Sequence, residues 1–157
     1  MKHLIITFTF ISFFVLQSCG FKRVNQNLLN NFEIAEINMS GESRVNYKLK
    51  NKILFISENN NENLIVLNIE TKKNKTIKEK NIKNEITKYN ISITAKIETN
   101  IISSNNIVNF TVIENAESKV NNQYSKTINN EKRAIDEIVN KLSIKIIDEL
   151  RLSLNDL

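Results

Sequence analysis

Cys19 is the residue whose type and setting point to a definite reaction. It is the only cysteine of the chain and follows Ser18 at the end of an apolar-rich run that begins at Leu4. A cysteine thiolate is nucleophilic enough to attack a lipid donor and form a thioether, and no second cysteine competes for it in an intramolecular disulfide. The small Ser18 side chain gives a peptidase access to the bond between residues 18 and 19. The pattern therefore predicts cleavage between Ser18 and Cys19, followed by lipidation of Cys19.

The residues before this cysteine have the order of an export signal: the positive charge of Lys2, an apolar middle and a small residue at the cut. The apolar run Leu4–Leu16 would form a helix of roughly 20 Å, which is short against a hydrocarbon core of about 30 Å. Leu16-Gln17-Ser18-Cys19-Gly20 resembles the lipobox of bacterial lipoproteins. We therefore assign residues 1–18 to a lipoprotein signal peptide and residues 19–31 to a lipidated tether. The alternative is an ordinary secretory signal with an incidental cysteine, or a cysteine that is a buried structural thiol.

Residues suited to catalysis are scarce once this signal is removed. His3 is the only histidine, so the mature chain has none, and its one cysteine is acylated; this leaves no histidine or free thiol for acid–base chemistry or zinc binding. Only Gly20 and Gly41 are glycines, which excludes a glycine-rich phosphate loop. Four carboxylates occur at spacings that any solvated strand face would produce: Glu33, Glu36, Glu114 and Glu117. We expect no enzyme, no metal and no cofactor beyond the covalent lipid on Cys19.

The periodicity of the remaining chain predicts the elements in the order β-α-β-β-β-α. Alternation of apolar and polar residues predicts strands over Phe32–Met39 and Leu64–Thr71, from Tyr89 onward, and through Val108, Phe110 and Val112. Helical spacing predicts one helix carrying Val45, Leu49, Ile53 and Ile56, and a final helix over roughly Thr127–Ser153. The Lys- and Asn-rich stretch Lys72–Asn84 is expected to connect the second and third strands as a long hairpin.

The third strand defines how these elements pack. Its alternate apolar residues share one face, and polar residues occupy the other: Tyr89, Ile91, Ile93, Ala95 and Ile97 against Asn90, Ser92, Thr94, Lys96 and Glu98. One face is therefore buried and one solvated, as in an antiparallel sheet with helices on one side. We predict one α+β domain over residues 32–157, with two helices packed on one face of a four-stranded, mostly antiparallel sheet.

With these elements in place, the mature chain resembles the LPS-assembly lipoprotein family (LptE-type). The resemblance covers residues 19 to about 152. It depends on the start Cys19-Gly20-Phe21, on the order of the elements, and on the segment Gln123-Tyr124-Ser125-Lys126 ahead of Arg133-Ala134 in the last helix. Arg23 and Val24 depart from the family, whose members often have Pro and Leu there. The resemblance implies a domain that sits as a plug inside the outer-membrane LPS-assembly barrel and aids its assembly. It leaves direct contact with lipopolysaccharide open.

A basic run is the candidate contact for such a glycolipid. The net charge of +5 favours anionic partners, although a chain so rich in Asn, Ile and Lys owes part of that charge to A- and T-rich codons. Six lysines crowd between residues 72 and 83 with Glu79 as the only acid, and four of them are the candidate lipopolysaccharide contacts: Lys72, Lys73, Lys75 and Lys78. The alternative is an ordinary solvated connection.

The expected location follows from the residue after the lipidated cysteine. Gly20 lacks the acidic side chain that holds lipoproteins at the inner membrane in many bacteria, so we expect the outer membrane, with the domain on its periplasmic face. The lipid on Cys19 would hold the chain to the membrane, and an exported chain has no nucleic acid as partner. The alternative function is a generic envelope lipoprotein that acts as a structural or assembly accessory of another complex. An enzyme that works through carboxylates alone ranks third, and loss of activity on replacing a single carboxylate would support it.

Overall fold

Three connections between strands define the architecture: one helical crossover and two hairpin turns. The computed structural model describes residues 32–57 and 64–155, so the signal peptide, Cys19 and the tether lie outside the described residues. The elements are β1 Glu33–Gly41, α1 Ser43–Ile56, β2 Leu64–Lys80, β3 Ile86–Ile101, β4 Asn106–Lys119 and α2 Tyr124–Asn155. The predicted β-α-β-β-β-α order and the α+β class are confirmed.

The four strands form one sheet in the order β1-β2-β3-β4. β1 and β2 are parallel, because α1 carries the chain back to the starting end before β2 begins, and Glu33 pairs with Leu64 there. β2 and β3 are antiparallel, as are β3 and β4, since short turns connect them. The sheet is therefore mixed, with a single parallel pair.

The passage from β1 into α1 requires Gly41. This residue has φ +94°, a conformation that side chains with a Cβ rarely adopt. A Cβ atom at this position would lie 2.0 Å from the backbone oxygen of Thr71. The close approach lets the amide of Glu42 donate a hydrogen bond to that same oxygen at 3.3 Å. Gly41 thus ends β1 against β2 and allows α1 to begin two residues later.

Both helices pack on one face of the sheet, as predicted. On β3, Ile91, Ile93 and Ala95 are fully buried and Ile97 is nearly so, which confirms the predicted face. α1 contributes Val45, Leu49 and Ile53, and α2 contributes Ile138, Leu142, Ile146, Ile147 and Leu150. Because these aliphatic side chains meet between one sheet face and the helices, the opposite sheet face is mostly polar, although Ile107 and Ile113 of β4 are exposed there.

The second strand is longer than its sequence indicates. We expected it to end at Thr71, with Lys72–Asn84 as a connection. The structure has the expected hairpin, but β2 continues to Lys80 and the turn shrinks to residues 81–85. The reason is pairing with β3, which runs from Lys72 opposite Thr94 to Lys80 opposite Ile86. These bonds hold the lysine-rich segment extended despite its low intrinsic strand preference.

Candidate functional site

The basic segment of β2 is the one predicted ligand site that lies within the described residues, and strand geometry divides it. Successive side chains of a strand point to opposite faces. Thr71 is buried on the helix side, where its hydroxyl donates a 2.5 Å hydrogen bond to Asn46 of α1. Lys73 and Lys75 follow on that same side. Lys72 lies on the opposite face of the sheet, which neither α1 nor α2 covers and which we call the open face. The four predicted contact residues are therefore not on one surface.

Lys75 is held against the rest of the domain. Its ammonium group lies 2.6 Å from the Glu131 carboxylate of α2 and 4.2 Å from the centre of the Tyr89 ring on β3. The carboxylate and the face of the ring both attract the cation. With two internal partners, Lys75 serves to join the hairpin to α2 and is poorly placed to take a ligand.

Lys78 also has an acidic partner, on the open face. Its ammonium group pairs with Glu117 of β4, and the hydrogen bond from Lys78 lowers the pKa of the Glu117 carboxyl. Beside it, Lys88 of β3 lies 2.5 Å from Glu79. That hydrogen bond lowers the pKa of Glu79 and raises the pKa of Lys88. Two cations and two carboxylates thus compensate each other near the end of the hairpin.

Lys72 and Lys73 differ from these two residues. Within residues 32–57 and 64–155, neither ammonium group has an ion-pair or hydrogen-bond partner. Lys72 stands on the open face opposite Thr94, and Lys73 is half-buried on the helix side. Of the predicted set, Lys72 is thus both exposed and unpaired. Contact with lipopolysaccharide stays a prediction for this residue.

The acids that neutralise this segment could not be found by inspecting the run itself. Glu131 and Glu117 are 56 and 39 residues away from the lysines that they bind. They come close only through the register of β4 and the placement of α2. The sequence did hold one signal about the site. Successive side chains of a strand point to opposite faces, so Lys72 and Lys73 must lie on different faces if the segment is a strand.

The turn of the hairpin is shaped by asparagine. The Asn81 side-chain oxygen accepts hydrogen bonds from the backbone amides of Lys83 and Glu85 at 2.9 and 3.0 Å, and Asn84 has φ 63°. Asparagine tolerates this left-handed conformation better than most residues. The turn leaves Ile82 fully exposed at its apex, between Lys80 and Lys83.

A second polar feature, which we did not predict, crosses the open face of the sheet. Asn38 donates to Asn68 at 3.2 Å, and Asn68 donates to Glu98 at 3.0 Å. One row further along, Lys96 lies 3.6 Å from Glu70. These rows line a shallow cavity of about 610 Å³. The residues belong to three different strands, so the row emerges only from the pairing register.

Among the residues that the structure describes, no group of three or more histidine, cysteine, aspartate or glutamate side chains is arranged to hold a metal ion. None of the described helices is long and apolar enough to cross a bilayer.

Comparison with known proteins identifies the fold. The sequence matches no protein-family model and no curated protein. Rare lipoprotein B from Shewanella oneidensis superposes with a TM-score of 0.59 at 6% identity, over 77% of this chain and 97% of that one. The chain has the fold of rare lipoprotein B. A protein assigned as a lipoprotein from Caulobacter crescentus gives a TM-score of 0.54 at 12% identity, over 76% of this chain and 90% of that one.

A third structure with this fold is an uncharacterised lipoprotein B from Nitrosomonas europaea, with a TM-score of 0.50 at 11% identity, over 79% of this chain and 85% of that one. We drew the resemblance to LptE-type lipoproteins from short motifs and element order. At the level of the fold, the likeness to rare lipoprotein B confirms it. At such low identities the likeness concerns the backbone alone, so no binding residue is transferred from these neighbours.

Proposed function

We propose that this chain is an outer-membrane lipoprotein, anchored through Cys19, that assembles with the LPS-assembly barrel, plugs it and assists lipopolysaccharide insertion into the outer leaflet. The observation that carries this proposal is the rare lipoprotein B fold, which spans 97% of the neighbouring chain. The LptE-type motifs of the sequence, from Cys19-Gly20-Phe21 to Arg133-Ala134, point to the same family independently of the fold.

The dimensions of the domain support a plug. α2 has 32 residues, which corresponds to a helix of about 48 Å. A bilayer with its headgroups is about 40–45 Å thick. A domain with this long axis can extend from the leaflet that holds its anchor to the far side of a barrel. The paired acids and lysines at the end of the hairpin suit a polar barrel interior.

The experiment is affinity purification of the full-length chain, tagged after Leu157, from detergent-extracted membranes. We expect the LPS-assembly barrel to co-purify in a constant ratio. The matched control is the Cys19→Ala variant, which cannot be lipidated and should remain uncleaved by the lipoprotein peptidase, so its yield of barrel should fall sharply. An unmodified Cys19 in the wild-type protein, seen by mass spectrometry, would contradict the anchor.

A different complex in the wild-type purification would instead establish the alternative, an envelope lipoprotein that acts as an accessory of that complex. Depletion of the chain separates the two functions further. Loss of lipopolysaccharide from the cell surface, together with misassembled barrel, is expected for the plug. Normal surface lipopolysaccharide after depletion would count against it.

A further inference from the structure

α1 has two apolar faces, of which the sheet covers one. Val45, Leu49 and Ile53 are buried against the core. Three large apolar side chains lie on the other side of the helix in solvent: Tyr47, Leu54 and Phe55, with 72%, 45% and 87% of their surface exposed. At 100° per residue these three fall within one arc that faces away from the sheet. A single exposed leucine is ordinary. A second apolar face on a helix instead indicates a surface that a partner or a membrane covers.

The charged residues of α1 itself all have one sign, and Asp136 of α2 is the acid that meets them. α1 contains four cations and no acidic residue: Arg44, Lys48, Lys50 and Lys52. Lys48 pairs with Asp136 of α2, and Lys50 donates to the Ile37 carbonyl at 3.1 Å. Arg44 and Lys52 are exposed and have no partner within the described part of the chain. Exposed aromatic rings beside unpaired cations suit the boundary between lipid headgroups and acyl chains.

The position of α1 brings this face towards a bilayer. Asn46, near the start of α1, binds Thr71, which pairs with Gly41 at the end of β1. Lys50, one turn later, reaches the middle of β1 at Ile37. α1 therefore runs back along β1, and its last turn, with Leu54 and Phe55, lies at the end of the domain where β1 begins.

That end is also where the lipidated segment joins the domain. Thirteen residue steps separate Cys19 from Phe32, and an extended chain covers at most about 3.3–3.6 Å per residue. Phe32 is thus held within roughly 45 Å of the lipidated cysteine. Phe55 lies at the same end of the domain as Phe32, and the turn between β2 and β3 lies at the opposite end.

We propose that the outward face of α1, formed by Arg44, Tyr47, Lys48, Lys52, Leu54 and Phe55, is a docking surface for the anionic lipid bilayer that holds the anchor. The seam between α1 and α2 adds a cavity of about 650 Å³ lined by Tyr47, Lys52 and Phe55. Asp136 also lines it, and Lys48 pairs with that carboxylate, so Lys52 is the unpaired cation there for a headgroup. The proposal rests on the lipid anchor of the proposed function for proximity. The barrel partner is a separate matter.

Vesicle co-sedimentation tests this surface without the anchor. Within the described residues, the buried core lies between Phe32 and Leu150, so the chain from Gly20 onward keeps the whole described core, and circular dichroism verifies its fold. We expect it to bind vesicles of phosphatidylglycerol and phosphatidylethanolamine, to bind phosphatidylcholine vesicles far less, and to lose affinity as salt rises.

Variants of the surface give the quantitative test. Removing one cation near an anionic surface weakens binding about fivefold, so Arg44→Gln with Lys52→Gln should weaken it about 25-fold. Tyr47→Ala with Phe55→Ala should weaken it at least tenfold, because the buried apolar area is lost. The matched control is Tyr124→Ala with Lys126→Gln, an exposed aromatic and an exposed lysine on α2, which should bind as the wild type does.

A fluorescent reporter shows insertion directly. The chain contains no tryptophan, so Phe55→Trp places a single indole on the proposed surface. Its emission should shift to the blue with anionic vesicles, whereas Tyr124→Trp should stay unchanged. Equal binding by the α1 variants and the wild type, or no shift at Trp substitution of Phe55, would overturn the proposal. The proposal would also be overturned if the α1 variants bound vesicles normally but lost a protein partner, because the face would then bind protein and not lipid.

The two proposals fail separately in these experiments. Co-purification of the barrel with a chain whose α1 face does not bind vesicles removes the docking surface and leaves the plug. Vesicle binding through α1 by a chain that purifies without the barrel does the reverse.

Discussion

At the scale of single residues, acidic partners decide which lysines of β2 are available to a ligand. Lys75 is occupied by Glu131 and the Tyr89 ring, and Lys78 by Glu117. Exposed ion pairs of this kind contribute little to stability, commonly less than about 1 kcal/mol. Their main effect is on binding, because a phosphate must compete with a carboxylate for the same ammonium group. Lys72 meets no such competition.

This difference predicts the outcome of single and paired lysine substitutions. Lys72→Gln with Lys73→Gln should weaken lipopolysaccharide binding and reduce its salt dependence, because it removes the two unpaired cations. Lys75→Gln should leave the affinity nearly unchanged and lower the free energy of unfolding by about 1 kcal/mol or less. Isothermal titration at low salt and urea unfolding measure the two effects. Equal affinities for the wild type and the Lys72 and Lys73 double variant would show that the run is a solvated strand with no ligand.

Gly41 allows a second prediction at this scale. Gly41→Ala should destabilise the domain by about 1–3 kcal/mol or more, since a left-handed conformation is forced on alanine and its Cβ meets the Thr71 oxygen at 2.0 Å. Urea unfolding monitored by circular dichroism gives the loss. Ser43→Ala, an exposed position two residues later, is the control and should change stability far less. A fully stable Gly41→Ala protein would mean that β1 leaves β2 by a different path.

At the scale of the elements, the third strand and the last helix form the centre of the packing. Ile93 and Leu142 are both fully buried, so Ile93→Ala and Leu142→Ala should each cost about 2–5 kcal/mol. Thr94 is partly exposed on the opposite face of β3, and Thr94→Ala should cost little. Chemical denaturation of the three variants tests the assignment. Comparable losses at Ile93 and Thr94 would place the wrong face of β3 against the helices.

The elements also show which parts of the fold are readable from sequence. β3 and both helices are predictable because their apolar residues repeat locally with the period of the element, as Ile91–Ile97 and Val45–Ile53 do. The end of β2 is not, because Lys72–Lys80 has no apolar period and is held only by pairing with β3. The site is less predictable still. The partners of Lys75 and Lys78 lie in other elements, and the outward face of α1 is noticed only when its buried face is known.

At the scale of the whole molecule, the mixed sheet explains why the two ends of the domain carry different surfaces. Because β1 and β2 are parallel, α1 must cross from one end of the sheet to the other. It places Leu54 and Phe55 at the end where β1 begins, which is the end that the proposed lipidated tether joins. The hairpin between β2 and β3 places its lysine-rich turn at the opposite end. The proposed anchor and the polar hairpin would therefore be separated by the length of the domain, as the proposal of a chain fixed to one leaflet and extending into a barrel requires.

The last prediction concerns where this molecule is delivered. The residue after Cys19, the proposed lipidation site, is Gly20, which carries no acidic retention signal. Sucrose-gradient fractionation should therefore place the wild-type chain with outer-membrane markers. Gly20→Asp should shift it to the inner membrane, while Gly20→Asn, of similar size but uncharged, should shift it much less. The substitution lies twelve residues before Phe32, the first residue of the described core, so the folded domain should be unaffected. Because the barrel resides in the outer membrane, the Gly20→Asp chain should lose barrel co-purification while it keeps its lipid, its stability and its affinity for anionic vesicles. A wild-type chain found with inner-membrane markers would contradict both the location and the proposed partner, since a plug in the wrong membrane has no barrel to fill.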